Sequence, residues 1–237
     1  MQIHVYPEEI LYNVLAEKIT GLIEQTLLVK EIFTWALSGG ETPKKLYNTL
    51  AGEPYREKIN WSRVHIFWGD ERFVPFTNND NNAKMAYDSL LSKIPIPPEQ
   101  VHRIWTDVEA EQSVKQYEQV LRDFFDTRET TFDLVLLGLG EDGHTLSLFP
   151  GDPIPNEQHW VSPVSSDKKG IRITLLPGIV NKASSVFFVV TGEKKAGIIK
   201  EILSTETPPL SYPAMLIQPY NGELHWFLDT SAAEFIT

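Results

Sequence analysis

The sequence predicts an α/β protein built on a doubly wound, mostly parallel sheet with helices on both faces. Apolar strand-like runs alternate with amphipathic helical stretches from end to end, and several of those runs break off in glycine-containing turns directly before a helix. A third observation concerns the end of the chain. There Asn221-Gly222 separates two apolar runs, a hairpin signal that predicts antiparallel strands added at one edge.

Taken in order, residues 2–6 read as a first strand. Residues 8–28 form an amphipathic helix, with Ile10, Leu11, Val14, Leu15, Ile19, Leu22 and Ile23 on one stripe. IFTWALS (32–38) is a buried strand, and Pro43 suits the first turn of a helix reaching about Leu50. VHIFWG (64–69) is a third strand. A helix over 82–91 is stopped by PIPP at 95–98. A short strand near 102–105 and a charged helix over about 108–128 follow, then FDLVLLGLG (132–140), the most apolar strand. SVFFVVTG (185–192) and a helix over 193–203 precede the final Asn-Gly segment, while 151–171 reads as loop. No repeat, low-complexity tract or linker interrupts this Rossmann-like pattern, so one domain over 1–237 is expected.

Composition bounds the function. Of 237 residues, 42% are hydrophobic and 22% charged, as in a globular protein with a substantial core. No apolar run approaches the roughly 18 residues that cross a bilayer. MQIHVYPEEI lacks the basic start and apolar stretch of a secretory signal, so a cytoplasmic address is expected. The absence of cysteine excludes disulfides, thiolate metal sites and cysteine nucleophiles. With 32 acids against 21 lysines and arginines, the net charge is −11. Such a chain repels nucleic acid and anionic lipid, whereas a small anion is still held wherever a few cations gather in a cleft.

Doubly wound sheets bind ligands beyond the carboxyl ends of their strands. Four such ends carry unusual residues. SGGETP (38–43) joins a buried strand to a helix: Gly39 and Gly40 let the backbone approach a ligand, Thr42 is a candidate cap, and the helix start offers N–H groups to an anion. The plain alternative is a tight turn. The segment is neither a Walker loop nor a dinucleotide fingerprint. GDERFVP (69–75) places Arg72 at the lip of the third strand, with Asp70 able to orient its guanidinium; a surface ion pair is the competing reading.

GLGEDGHTLSLFP (138–150) ends the most apolar strand. Three glycines allow a sharp turn, leaving His144 two residues from Asp142. At this position an imidazole can serve as a proton-transferring base. A hydrogen-bonded structural histidine and a metal site using Asp142, His144 and Asp70 or Glu71 are the alternatives. The metal reading lacks a second nearby histidine, so no metal is expected. In VTGEKKAG (190–197), Lys194 and Lys195 stand at a helix start, the wrong end for the helix dipole unless an anion binds there. Arg172 is a further candidate cation.

Together these stretches resemble the glucosamine-6-phosphate isomerase/6-phosphogluconolactonase family over nearly the whole chain. The residues that carry the resemblance are 38–43, 70–75, 138–151 and 191–195, in the family's order, with NNAKMA (81–86) similar to its asparagine stretch and 172–183 to its arginine-threonine stretch. Leu146 stands where alanine is usual, Asn81 where serine is usual, and Glu41 also replaces a serine. An acid in a phosphate loop is expected to face solvent.

The resemblance implies hydrolysis of 6-phosphogluconolactone to 6-phosphogluconate, in the oxidative pentose phosphate pathway, without metal or other cofactor. It implies His144 as general base with Asp142 orienting it. Ser38, Gly39, Gly40, Thr42, Asp70, Arg72, Asn82, Arg172 and Lys195 would bind the substrate and its phosphate, the family spacing favouring Lys195 over Lys194. The partner is then a small molecule, with no nucleic acid or membrane, and the chain a monomer or small homo-oligomer. Two rivals share the scaffold: an amino-sugar-phosphate deaminase, and a non-catalytic sugar-phosphate sensor, which would need the grip but no base.

Overall fold

The computed structural model describes residues 1–153, 158–166, 170–204 and 211–236. Strand β1 (Gln2–Tyr6) leads to α1 (Glu8–Leu27), β2 (Phe33–Leu37), α2 (Glu41–Leu50) and the short α3 (Tyr55–Lys58). Next come β3 (Val64–Trp68), β4 (Asp70–Arg72) and α4 (Asn82–Ala86), which continues through a wider helical turn over Tyr87–Leu91. Helix α5 (Ala110–Phe125) precedes β5 (Leu134–Leu137), β6 (Val161–Ser166), β7 (Gly170–Leu175) and α6 (Pro177–Val180). Strand β8 (Ser185–Val190), α7 (Ala196–Leu203) and β9 (Glu223–Asp229) complete the order.

Six strands form one sheet in the order β1-β9-β8-β5-β2-β3, and every pairing in it is parallel. Strands β2, β5 and β8 are buried along their whole length, which requires cover on both faces. Phe187 and Phe188 are neighbours on β8 and so point to opposite faces. Phe187 shares a hollow with Val14 and Leu22 of α1. Phe188 stacks on Trp226 at 4.0 Å, and Trp226 borders a hollow shared with Ile202 of α7. The doubly wound expectation holds in this arrangement. No helix among the described residues is long and apolar enough to cross a membrane.

Three expectations need correction. The C-terminal edge hairpin does not form: β9 runs parallel between β8 and β1, inside the sheet. Asn221-Gly222 serves a close approach instead, since a Cβ on Gly222 would lie 2.1 Å from the Ala183 carbonyl. The apolar run before it folds as a 3-10 turn, Pro213–Leu216, and helps to cover the Trp226 side of the sheet. Antiparallel strands do exist, but as a separate sheet in the order β4-β7-β6. Two of these strands fall partly or wholly in the stretch expected to be loop, of which 154–157 and 167–169 lie outside the described residues. Near 102–105 only one bridge forms, between Val101 and Ile66; the chain then turns so that the Arg103 guanidinium lies over the rings of Phe76 and Trp105.

Candidate active site

From β2 the chain continues to β3 on one side, and from β5 to β8 and β9 on the other, so the topological switch lies between β2 and β5. Beyond their carboxyl ends is the crevice where such sheets bind ligands. A cavity of 210 Å³ opens there. Hollows of 310 and 580 Å³ elsewhere are larger, but the charged groups converge on this one.

Its cationic side is built by the small sheet. The register of β4 and β7 sets Arg72 directly opposite Arg172, and like charges so placed repel. Arg72 donates from Nη1 to the Asp80 carbonyl at 2.8 Å. The Nε atoms of both arginines are buried without a hydrogen-bond partner among the described residues. Burial lowers the Arg172 pKa, with Asp70 opposing the shift and Arg72 adding to it. Lys195 lines the same cavity, whereas Lys194 is exposed and does not. Burial lowers the Lys195 pKa too, opposed by Glu141 and Asp142. Three cations held this way, two of them sharing a register position, favour an anion between them.

The loop after β2 supplies the floor. Ser38 and Gly39 line the cavity. Gly40 has φ 107°, open to glycine, and N-caps α2 without lining the cavity. A Cβ on Gly39 would fall 1.9 Å from Asn82 Oδ1, so the backbone there lies flush against that side chain. Asn82 lines the cavity and donates from Nδ2 to the Asp70 carbonyl at 2.9 Å. Thr42 sits outside the cavity, its hydroxyl 2.8 Å from that of Thr191, and so ties the start of α2 to the end of β8. Glu41 has its side chain 81% exposed and pairs with Lys44 at 3.3 Å, facing solvent as expected.

The sequence offered Glu71 only as an alternative metal ligand and hid its role as the group that organises this side. Glu71 is only 1% exposed, and its carboxylate accepts from the backbone N–H groups of Arg72, Asn82 and Ala83 at 2.7–2.8 Å. It thereby fastens the start of α4 to β4, fixing Asn82 relative to Arg72. Burial pushes the Glu71 carboxyl up to about 7; the three N–H donors oppose that rise, and Asp70 adds to it. Asp70, at the cavity wall, accepts from the buried Ser147 hydroxyl at 2.6 Å. A buried acid in Asp-Glu-Arg carries no sequence signal that separates it from a surface one.

Residues 138–146 form the turn that holds His144. Gly143 N–H donates to the Gly140 carbonyl at 3.1 Å, and Gly140 N–H to the His144 carbonyl at 2.8 Å. His144 Nδ1 is hydrogen-bonded to Asp142 Oδ1, which also accepts from the His144 N–H at 3.2 Å. A Cβ on Gly140 would lie 1.9 Å from Nδ1, so glycine is required for this contact. Gly143, at φ 81°, backs onto the Tyr212 ring, and the imidazole leans on Phe149 with centroids 4.9 Å apart. Leu146 adopts φ 56°, rare for leucine, and its side chain reaches towards Gly69. His144 lines the cavity and Asp142 stands behind it. Among the described residues no group of three or more histidine, aspartate and glutamate side chains is placed to hold a metal ion.

A carboxylate contacting Nδ1 fixes the neutral ring as the Nδ1–H tautomer, leaving Nε2 as its basic nitrogen. The fold and the cleft thus define a doubly wound α/β protein with a carboxylate-bound histidine and three cations lining one cavity at its switch point. Residues 7–226 match the family model described as glucosamine-6-phosphate isomerases/6-phosphogluconolactonase, and the chain belongs to that family. It is 40% identical to a 6-phosphogluconolactonase of Synechocystis, over 91% of this chain and 90% of that one. It is 38% identical to one of Haemophilus influenzae, over 85% and 86% respectively. The structure of 6-phosphogluconolactonase from Trypanosoma brucei superposes with a TM-score of 0.84 at 30% identity, covering 100% of this chain and 98% of that one.

Proposed function

We propose that this chain hydrolyses 6-phospho-D-glucono-1,5-lactone to 6-phospho-D-gluconate, with His144 as general base and Asp142 as the group that orients it. A lactone carbonyl is already electrophilic, so the chemistry needs a positioned water, a base and a held substrate. His144 Nε2 takes a proton from water as its oxygen attacks C1. The imidazolium then protonates the ring oxygen as the C1–O bond breaks. The phosphate is held by Arg72, Arg172 and Lys195 above residues 38–40, with Asp70 and Asn82 bracing that wall, and this grip brings C1 to the base. No covalent intermediate or cofactor takes part. On the same reading, residues 1–237 act as one cytoplasmic domain, a monomer or small homo-oligomer, with a small-molecule partner and neither nucleic acid nor membrane.

The observation that carries this reading is a carboxylate-bound His144 lining one cavity with Arg72, Arg172 and Lys195. The test is to time loss of the lactone against its spontaneous hydrolysis, beside an ammonia assay with glucosamine 6-phosphate. Accelerated lactone loss without ammonia release is expected. Ammonia release would favour the deaminase, and no acceleration of either reaction a sensor.

A further inference from the structure

Two strands leave the large sheet at the cleft, and one tyrosine hydroxyl meets both backbone polar groups at the end of each. Tyr47 Oη accepts from the Ser38 N–H at 3.0 Å and donates to the Ser38 carbonyl at 2.8 Å. Tyr117 Oη does the same for Trp68, at 2.8 Å and 2.8 Å. Both phenols are buried.

For Trp68 the reason is plain, because β3 is the last strand of its sheet and the bridge from Val101 reaches only Ile66. The N–H and C=O of one strand residue point the same way, so a residue without a neighbour on that side leaves both orphaned. Ser38 is a different case. Gly69 N–H bonds the Leu37 carbonyl at 2.9 Å, on the β3 side, so the polar groups of Ser38 turn towards β5. There the ladder has run out. Its register pairs are Trp35 with Leu134 and Ala36 with Val135, and beyond them the strands part to open the cleft. The Tyr47 hydroxyl occupies the place a strand would have filled. It comes from α2, which begins at Glu41 just after the loop, so loop and helix close into a ring. Burial raises the Tyr47 pKa, keeping the hydroxyl a donor at working pH.

Building on the phosphate grip proposed above, we propose that Tyr47 is a positioning residue for it. Its hydroxyl stands in for the missing strand at the switch point and holds residues 38–40 in the shape that meets the phosphate. Gly39 lies flush on Asn82 only while Ser38 is held, so releasing Ser38 loosens the grip without touching His144.

Tyr47→Phe removes one oxygen and keeps the ring, which packs edge-on against Trp35 at 6.3 Å. The experiment compares wild type and Tyr47→Phe in turnover of 6-phosphogluconolactone and of glucono-δ-lactone, and in inhibition by inorganic phosphate. Two orphaned backbone groups are expected to raise KM for the phosphorylated lactone, and the inhibition constant of phosphate, roughly tenfold. Turnover of glucono-δ-lactone should change far less. An unchanged phosphate inhibition constant in the folded variant overturns the inference, as does an equal loss on both lactones, the mark of a purely structural role. Equal handling of both lactones by wild type would sink the phosphate grip and this inference together; discrimination undiminished in Tyr47→Phe sinks this inference alone. Should the variant not fold, amide hydrogen exchange in wild type decides. Ser38 should then exchange as slowly as Ala36, and exchange at the rate of an open loop overturns the assignment.

Discussion

Arg72 on β4 and Arg172 on β7 are register partners, two cations side by side on neighbouring strands with both Nε atoms buried and unpartnered among the described residues. Without an anion this pairing opposes folding; on the proposed reading, a phosphate between the two makes it a clamp. Charge-assisted bonds to phosphate are each worth about 1.5–3 kcal/mol. Arg72→Ala, Arg172→Ala and Lys195→Ala should therefore each raise KM about tenfold or more. Arg172→Met should, in addition, leave the melting temperature equal to or above that of wild type, because the like-charge repulsion across the strand pair is relieved. A variant that loses stability while keeping its KM would refute the clamp.

His144→Asn should lower kcat by roughly 10²–10⁴ with little change in KM, since the proton is moved only in the transition state. Asp142→Asn should cost less, because it alters the orientation and tautomer of the ring rather than removing the base. Single-turnover rates measure both. Near-normal kcat in His144→Asn would shift the base to another group.

Exhaustive chelation should leave lactone turnover unchanged. Activity lost on chelation and restored by a divalent ion would mean that Asp70, Asp142 and His144 act around a metal.

Acid stability should bear the mark of a histidine pair far from the cleft. His65 and His102 stack with centroids 5.3 Å apart and share a hydrogen bond of 3.0 Å. Burial, with His65 adding, pushes His102 from 6.5 down to about 4, and burial chiefly also lowers His65. Between those values the unfolded chain binds a proton that the folded one refuses. Stability should thus be insensitive to this pair above about 6.5 and fall as the pH drops towards about 4. His102→Phe should lose less stability than wild type between pH 7 and 5, read from urea midpoints. Equal losses would exclude the pair as the source.

What the sequence made readable was the punctuation of the parallel sheet. Residues 38–40, 69 and 138–143 announce strand ends because glycine lets the chain turn sharply there. Ser38, Gly39, Asp70, Arg72, Asp142 and His144 sit in or beside those turns, while Asn82, Arg172 and Lys195 come from other elements. What it concealed needed a partner from elsewhere. β6 reads Val-Ser-Pro-Val-Ser-Ser, a poor strand until β7 supplies a ladder and an edge position excuses Pro163. Asn221-Gly222 looks like a hairpin turn until the Ala183 carbonyl is seen beneath it. Glu71 becomes an organiser only once α4 delivers two backbone N–H groups to it.

The acids beside the cleft bear on what happens after the bond breaks. Opening the lactone on the proposed reaction turns a neutral ester into a carboxylate, so the product leaves with a negative charge that the substrate lacked. On that reaction it forms in a cavity that Asp70 lines, with Glu141 and Asp142 acting on Lys195 of the same lining, inside a chain of net charge −11. On the same proposal, the cleft whose local cations draw in a phosphate is electrostatically unkind to what it has made. Turnover on the proposed reaction carries its own means of clearing the site, and the penalty falls on the molecule that has finished reacting.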